Sequence, residues 1–294
     1  MNEGRLCIFG EVLFDCFPDG KRVLGGAPFN VAWHLQAFGQ APRFISRVGR
    51  DPEGDEVLTA MRRWGMDTSG VQTDPDRPTG RVNVSFVDGE PEYDIVQHCA
   101  YDAIESVSPG SDCPLLYHGS LALREEPSRR AAAALTAAGP GIVFVDVNLR
   151  APWWQEAQVL DYVRRAHWVK LNAGELELLA PGQAGTLSGK QQFLADMALH
   201  GLIVTHGAAG AEVLTAAGDH LQVQPEPLTE VVDTVGAGDA FAAVTILGLV
   251  HAWPLATTLE RAQAFAARLV GNRGATVDEP AFYRPFIDAW RLLP

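Results

Sequence analysis

The stretch Asp233-Thr234-Val235-Gly236-Ala237-Gly238-Asp239-Ala240-Phe241 combines a glycine-rich turn, a carboxylate and the start of a long apolar run. A turn of this kind at the start of a helix leaves backbone N–H groups without intrahelical acceptors and puts the positive end of the helix dipole behind them. Such a place binds phosphate. Asp239 falls in the first helical turn, where a carboxylate is held as the anion, and beside a bound phosphate its use is to take a proton from an attacking hydroxyl. A plain strand-to-helix turn, with Asp239 as a first-turn carboxylate, also fits the string. The third glycine of G-x-G-x-x-G is missing and no G-x-x-x-x-G-K-[ST] occurs in the chain, so neither a dinucleotide fingerprint nor a P-loop is supported.

Other residues of suitable type lie far from this turn. Asp15, Gly25, Gly26 and Asn30 bring a short carboxylate, exposed backbone and an amide, a set that suits a polyol because adjacent hydroxyls need both donors and acceptors. The plainer alternatives are a turn residue for Asp15 and a helix-start residue bonded to its own backbone for Asn30. Arg150 closes Asp146-Val147-Asn148-Leu149-Arg150 and either answers a phosphate or substrate oxygen or makes a surface salt bridge. Asn172 and Glu175 supply a hard oxygen able to hold Mg²⁺ through its waters, or a helix cap. Thr205-His206-Gly207-Ala208-Ala209-Gly210 is a glycine-bearing turn. His206 is read as incidental, and the lone histidines His34, His98, His118 and His200 show no nucleophile or metal pattern.

The bulk properties narrow the class. With 294 residues and 47% hydrophobic composition the chain can bury a sizeable core. A net charge of −13 argues against nucleic acid or an anionic membrane as partner, and obliges any phosphate site to rely on local dipoles and placed cations. Four cysteines, Cys7, Cys16, Cys99 and Cys113, form no C-x-x-C pair and are expected to be reduced thiols. No signal-peptide pattern opens the chain, and the apolar run 240–250 is too short to span a bilayer. A cytoplasmic protein is expected.

The elements that must position these residues alternate. Buried strands are expected at 6–10, 44–48, 115–118, 142–147, 168–171 and 202–205, with helices at 30–38, 55–64, 125–138, 240–250 and 256–270. This rhythm predicts one α/β domain with a doubly wound, mostly parallel sheet flanked by helices, whose ligands gather at the carboxyl ends of the strands. The region 79–100 differs: 81–87 alternates, Asp88-Gly89 signals a hairpin, and 92–96 resumes extension. With 11–24 it is expected to form a small β lid; a plain surface hairpin is the alternative.

Two of these strings carry a resemblance that spans essentially the whole chain. Asp233-Thr234-Val235-Gly236-Ala237-Gly238-Asp239-Ala240-Phe241 resembles the C-terminal signature of the ribokinase family (PfkB-type carbohydrate kinases), and Gly25-Gly26-Ala27-Pro28-Phe29-Asn30-Val31-Ala32 its N-terminal signature. The resemblance implies a ribokinase-like fold and an ATP-dependent sugar kinase. Asp239 would be the base, Gly236, Ala237 and Gly238 the anion hole, and Asp15, Gly25, Gly26, Asn30 and Arg150 the sugar ligands. ATP would meet Asn172, Glu175, Thr205, Gly207, Gly210, Gln263 and Gly274, with Glu175 near Mg²⁺ and Asp233, Val235, Asn272 and Gly274 at a K⁺ site. Gly-Glu-Val-Leu-Phe-Asp around Asp15 and Asp-Val-Asn-Leu-Arg look closer to bacterial fructokinase-like members, although Val147 replaces their proline, and His98 and Cys99 stand where a more basic aromatic stretch is expected. D-Fructose is the first choice of substrate, with ribose, 2-keto-3-deoxygluconate or a nucleoside behind it. A sugar-binding regulator without catalysis is the alternative from another class. The family also implies a homodimer clasped through the lids.

Overall fold

A computed structural model describes residues 4–87, 90–107, 113–225 and 231–292. The first half runs β1 (Cys7–Phe9), β2 (Leu13–Cys16), β3 (Arg22–Gly25), α1 (Ala27–Ala37), β4 (Arg43–Gly49), α2 (Pro52–Arg63), β5 (Val71–Asp74), β6 (Gly80–Val87), β7 (Glu90–Ile95) and β8 (Leu115–His118). The second half runs α3 (Glu126–Ala137), β9 (Ile142–Asp146), α4 (Glu156–Arg164), β10 (Trp168–Asn172), α5 (Ala173–Leu179), α6 (Leu187–Asp196), β11 (Gly201–Thr205), β12 (Ala211–Thr215), β13 (His220–Val223), α7 (Ala237–Val250), α8 (Leu255–Leu269) and α9 (Pro280–Trp290).

Nine strands form one sheet in the order β13-β12-β11-β10-β9-β8-β1-β4-β5. From β5 to β11 every pairing is parallel, and β12 and β13 add an antiparallel edge. The central strands are largely apolar because both faces are covered: β1 and β8 are buried at every position. The chain winds outward through β4 and β5 on one side of β1 and through β8 to β11 on the other. The carboxyl ends of β1 and β8 therefore flank a topological switch point, where a doubly wound sheet opens its crevice. The expected fold class is the observed one.

Two helices start earlier than their apolar spacing suggests. α1 begins at Ala27 rather than residue 30, and α2 at Pro52 rather than 55. Each has a proline in its first turn, where the missing N–H costs nothing. Asp51 caps α2 by accepting from the Gly54 N–H at 2.8 Å. Inside the molecule α1 packs on α7, and Trp33 stacks on Trp64 with centroids 4.9 Å apart. Nearly all of α7 from Ala240 to Gly248 is buried, which explains why it carries no polar face.

The segments 11–24 and 79–100 meet in a second sheet, β3-β2-β6-β7. Leu13 pairs with Gly80 in a parallel β2–β6 ladder, and Val82 with Ile95 across the β6–β7 hairpin. Val82 and Val84 are buried while Arg81, Asn83 and Ser85 are exposed, the one wet face that the alternation predicts. The turn at Asp88-Gly89 lies outside the described residues. The four cysteines are free thiols, and among the described residues no helix is long and apolar enough to cross a membrane.

Candidate active site

α7 starts with Gly236 in the left-handed region, φ 80°, and a Cβ there would collide with Ala275. Only glycine makes this turn without strain. No side chain caps the helix, so its first N–H groups face outward. The approach to the turn is fixed by Asp233, whose Oδ1 accepts from the Val235 N–H at 3.0 Å and Oδ2 from the Gly274 N–H at 2.9 Å. Three of the four residues expected at a cation site, Asp233, Val235 and Gly274, are thus tied together. The fourth, Asn272, turns its side chain back onto the Arg268 carbonyl at 3.0 Å.

Asp239, one residue past the glycines, is partly exposed and accepts a 2.7 Å hydrogen bond from Asn30 Nδ2. Burial pushes its pKa up to about 6, with Asp146 adding to the rise, against the Asn30 hydrogen bond and the charges of Lys170 and Arg150. At neutral pH it is an ionised carboxylate with appreciable basicity. Asp15 is raised to about 6 by burial, offset by Arg150. A Cβ placed on Gly25 would lie 3.8 Å from both Asp15 Oδ2 and Asn30 Oδ1, so these residues line one small space. Gly26, φ 108°, has no room for a side chain, since a Cβ would sit 2.8 Å from the Glu11 carbonyl oxygen. Asn30 Oδ1 is buried without a partner, a hydrogen-bond acceptor left for a ligand.

Arg150 is exposed, and no salt bridge occupies it among the described residues. Its charge reaches Glu11, Asp15 and Asp239, lowering each. Val147, in the position of the fructokinase-like proline, donates its N–H to the Lys170 carbonyl at 2.9 Å, a bond proline could not make.

Glu11, Asp146 and Lys170 have no assigned role in the sequence reading and stand at the centre of this charge cluster. β9 and β10 are parallel neighbours with Asp146 paired to Lys170, and Lys170 Nζ bonds both Asp146 oxygens at 2.8 Å. The same Nζ lies 3.5 Å from where a Gly238 Cβ would be, beside the glycine turn that opens α7. A lysine inside the apolar string Trp168-Val169-Lys170-Leu171 is the available signal, because a buried ammonium needs a carboxylate. Glu11 follows β1, is 3% exposed, leaves Oε2 without a partner, and is raised to about 7 chiefly by burial.

Asn172 and Glu175 form a reciprocal cap on α5: the Glu175 N–H donates to Asn172 Oδ1 at 2.9 Å and the Asn172 N–H to Glu175 Oε2 at 2.8 Å. Glu175 Oε1 also accepts from the Leu149 N–H at 2.7 Å, joining the Arg150 strand end to α5. Burial and Asp146 raise its pKa. No three-residue metal cluster exists among the described residues. Asp146, Glu175, Asp239 and Glu11 nevertheless outnumber Lys170 and Arg150, and a surplus of carboxylates beside the glycine turn fits Mg²⁺, which takes one or two carboxylates and keeps its waters.

On the other side of the turn a cavity of about 640 Å³ is lined by Thr205, Gly207, Gly210, Ala237, Gly238 and Gln263, among others. Gly207 and Gly210 take φ of 57° and 99°, and a Cβ on Gly210 would strike the Val223 carbonyl. Asn172, Glu175 and Gly274 lie outside this lining. His206 has no place among the acidic residues of the first compartment; its Nε2–H donates to Glu212 at 2.8 Å. The two compartments meet at neighbouring residues: Gly238 lines the large cavity, and Asp239 bonds Asn30 in the small one.

The model of the pfkB family carbohydrate kinases matches residues 15–281. A fructokinase of Klebsiella pneumoniae is 33% identical over 301 residues, covering 94% of this chain and 96% of the relative. The structure of Vibrio cholerae O395 fructokinase, in a form bound to fructose, ADP and calcium ion, matches with a TM-score of 0.82 at 26% identity, over 96% of this chain and 98% of that one. Aminoimidazole riboside kinase from Salmonella enterica, complexed with aminoimidazole riboside and an ATP analogue, matches with a TM-score of 0.80 at 26% identity, over 97% and 100%.

Proposed function

The chain belongs to the pfkB family of carbohydrate kinases, and from that premise we propose that it transfers the γ-phosphoryl group of ATP to a primary hydroxyl of a monosaccharide, D-fructose first. The observation that carries this reading is the junction at α7. Of two consecutive residues in one helical turn, Gly238 lines the large cavity and Asp239 bonds Asn30 beside the space bordered by Asp15 and Gly25, so donor and acceptor would meet across them.

In this reading ATP lies along Thr205, Gly207, Gly210 and Gln263, with its γ-phosphoryl over the N–H groups of Gly236, Ala237 and Gly238. The sugar lies among Asp15, Gly25, Gly26 and Asn30. The hydroxyl oxygen attacks the γ-phosphorus, the new O–P bond forms as the bond to the β-phosphate bridging oxygen breaks, and ADP leaves. Asp239 accepts the hydroxyl proton. Phosphoryl transfer passes through a loose transition state, so the protein chiefly positions groups and balances charge on the transferring oxygens. Lys170 beside the turn and Arg150 at the crevice mouth supply positive charge from the protein. Mg²⁺ would neutralise the β- and γ-phosphates, held through water by Glu175 and neighbouring carboxylates. K⁺ near Asp233, Val235, Asn272 and Gly274 would strengthen the anion hole. The second sheet acts as a lid, two lids clasp in a homodimer, and the protein works in the cytoplasm.

A riboside acceptor is the second reading, favoured by the likeness to aminoimidazole riboside kinase. The paired Asn30 and Asp239 speak against a regulator that has lost catalysis, because they keep the proton acceptor in place. ADP release from Mg-ATP, measured against fructose, ribose, 2-keto-3-deoxygluconate, adenosine and fructose 6-phosphate, tests the assignment. Turnover with fructose well above the others supports it, and turnover only with adenosine would transfer it to the second reading.

A further inference from the structure

The turn that walls the nucleotide cavity is closed on itself. The His206 N–H donates to the Gly210 carbonyl at 2.8 Å, Ala209 N–H to the His206 carbonyl at 3.1 Å and Gly210 N–H to the Gly207 carbonyl at 3.1 Å. Gly207, Ala208, Ala209 and Gly210 bring no polar side chain. His206 is therefore the only residue of the turn whose side chain can fasten it to the sheet, and it does so at Glu212 Oε1, 2.8 Å away.

Glu212 is an unusual residue to find inside a strand paired on both sides. It is 2% exposed, and three donors from three other elements converge on it. Lys190 of α6 shares Oε1 with His206, and His220 of β13 takes Oε2 at 2.9 Å. Burial pushes the carboxyl up, but the hydrogen bonds from Lys190, His220 and His206 outweigh it and hold it at about 2, so it stays an anion at all working pH. An apolar residue would stabilise such a position as well or better, which directs attention to what the charge holds. The register Val204 to Glu212 sets the carboxylate behind the end of β11, where the turn begins.

We propose that Glu212, acting through His206, is a positioning residue for the nucleotide: the pair latches the turn 206–210 in the shape that the ATP cavity requires. The inference rests on the nucleotide reading of that cavity. Freed from the latch, the turn must be ordered again each time a nucleotide binds, and that cost appears in affinity while the chemistry at Asp239 is untouched.

His220 gives the internal control, since it bonds the same carboxylate from a strand outside the turn. Calorimetric binding of ADP, with no sugar present, is to be compared in wild type, His206→Ala, His206→Gln and His220→Ala, beside steady-state turnover. His206→Ala should weaken ADP binding and raise the ATP KM about tenfold, the loss of one charge-assisted hydrogen bond, with kcat and sugar KM unchanged. His206→Gln, whose amide can still donate to Glu212, should recover most of it. His220→Ala should lower the melting temperature and leave ADP affinity within about twofold. Equal loss of ADP affinity in both alanine variants, or none in His206→Ala, overturns the latch. Absence of ADP binding in folded wild type overturns the nucleotide reading itself, and the latch with it.

Discussion

Replacing Asn30 by leucine removes the 2.7 Å hydrogen bond to Asp239 while nearly keeping the side-chain volume, so that no water takes its place. A hydrogen bond to a charged group contributes about 1.5–3 kcal/mol, and 1.36 kcal/mol corresponds to one pKa unit. Asp239 stands at about 6 with this bond in place, so the variant should carry it to about 7–8. The assay is kcat/KM for the sugar from pH 5 to 9, which follows groups of the free enzyme, read from ADP by a direct method so that no coupling enzyme distorts the profile. Only the ionised carboxylate accepts a proton. Wild type should therefore be about half-active near pH 6 and roughly tenfold reduced at pH 5, whereas an aspartate at its ordinary value of 3.8 would be almost fully ionised there. In Asn30→Leu the acid limb should move up by about 1–2 pH units. A wild-type limb near pH 4, or a limb unmoved in the variant, would refute the assignment of Asp239 as a base tuned by burial and held by Asn30.

Asp239→Asn should lower turnover by about two to four orders of magnitude with sugar binding largely kept, measured by single-turnover kinetics and equilibrium binding; near-normal turnover removes Asp239 from the mechanism. Lys170→Met leaves Asp146 charged and buried without its partner, and should cost about 3–5 kcal/mol in urea unfolding, whereas Lys170→Met combined with Asp146→Asn should restore most of it. A single variant as stable as wild type would contradict the pairing. Glu11 is raised from 4.5 to about 7, so between those values the folded state binds more protons than the unfolded one and stability falls as pH rises. Glu11→Gln should abolish that fall, gaining at most about 3 kcal/mol at pH 8 and nothing at pH 4, as judged by unfolding at the two pH values.

What the sequence makes legible follows from how local the physics is. The turn at Gly236 and the first helical turn of α7 are readable because left-handed backbone needs glycine and an all-buried helix needs apolar residues throughout. The Asp15, Gly25 and Asn30 set is readable by type but not by contact, since nothing local says that Asn30 meets a carboxylate 209 residues away. Lys170 and Asp146 escape because their pairing is a matter of strand register, which appears only when β9 and β10 lie side by side. His206 looks idle for the same reason: Glu212 comes within reach only through the β11–β12 hairpin. Helix starts at Ala27 and Pro52 precede the apolar spacing because proline fixes the first turn without contributing to the pattern. The strands β12 and β13 are only five and four residues long, and carry too little alternation to stand out from the loops around them.

The helix that holds Asn30 leans on segments made much later. Trp33 donates to the Val277 carbonyl, 244 residues on, and His34 contacts Tyr283, 249 residues on. During synthesis, at about 5–20 residues per second, α1 leaves the ribosome on the order of tens of seconds before the residues that cover it. Phe44 and Trp64 cover part of α1 early, but the face that packs on α7 stays unsheltered for that interval. Closure of this core is therefore a late event, in which the acquisition of α7 and α9 covers α1 and brings Asp239 to Asn30. A ribosome-bound chain stopped before residue 237 should be a chaperone client with no partial activity.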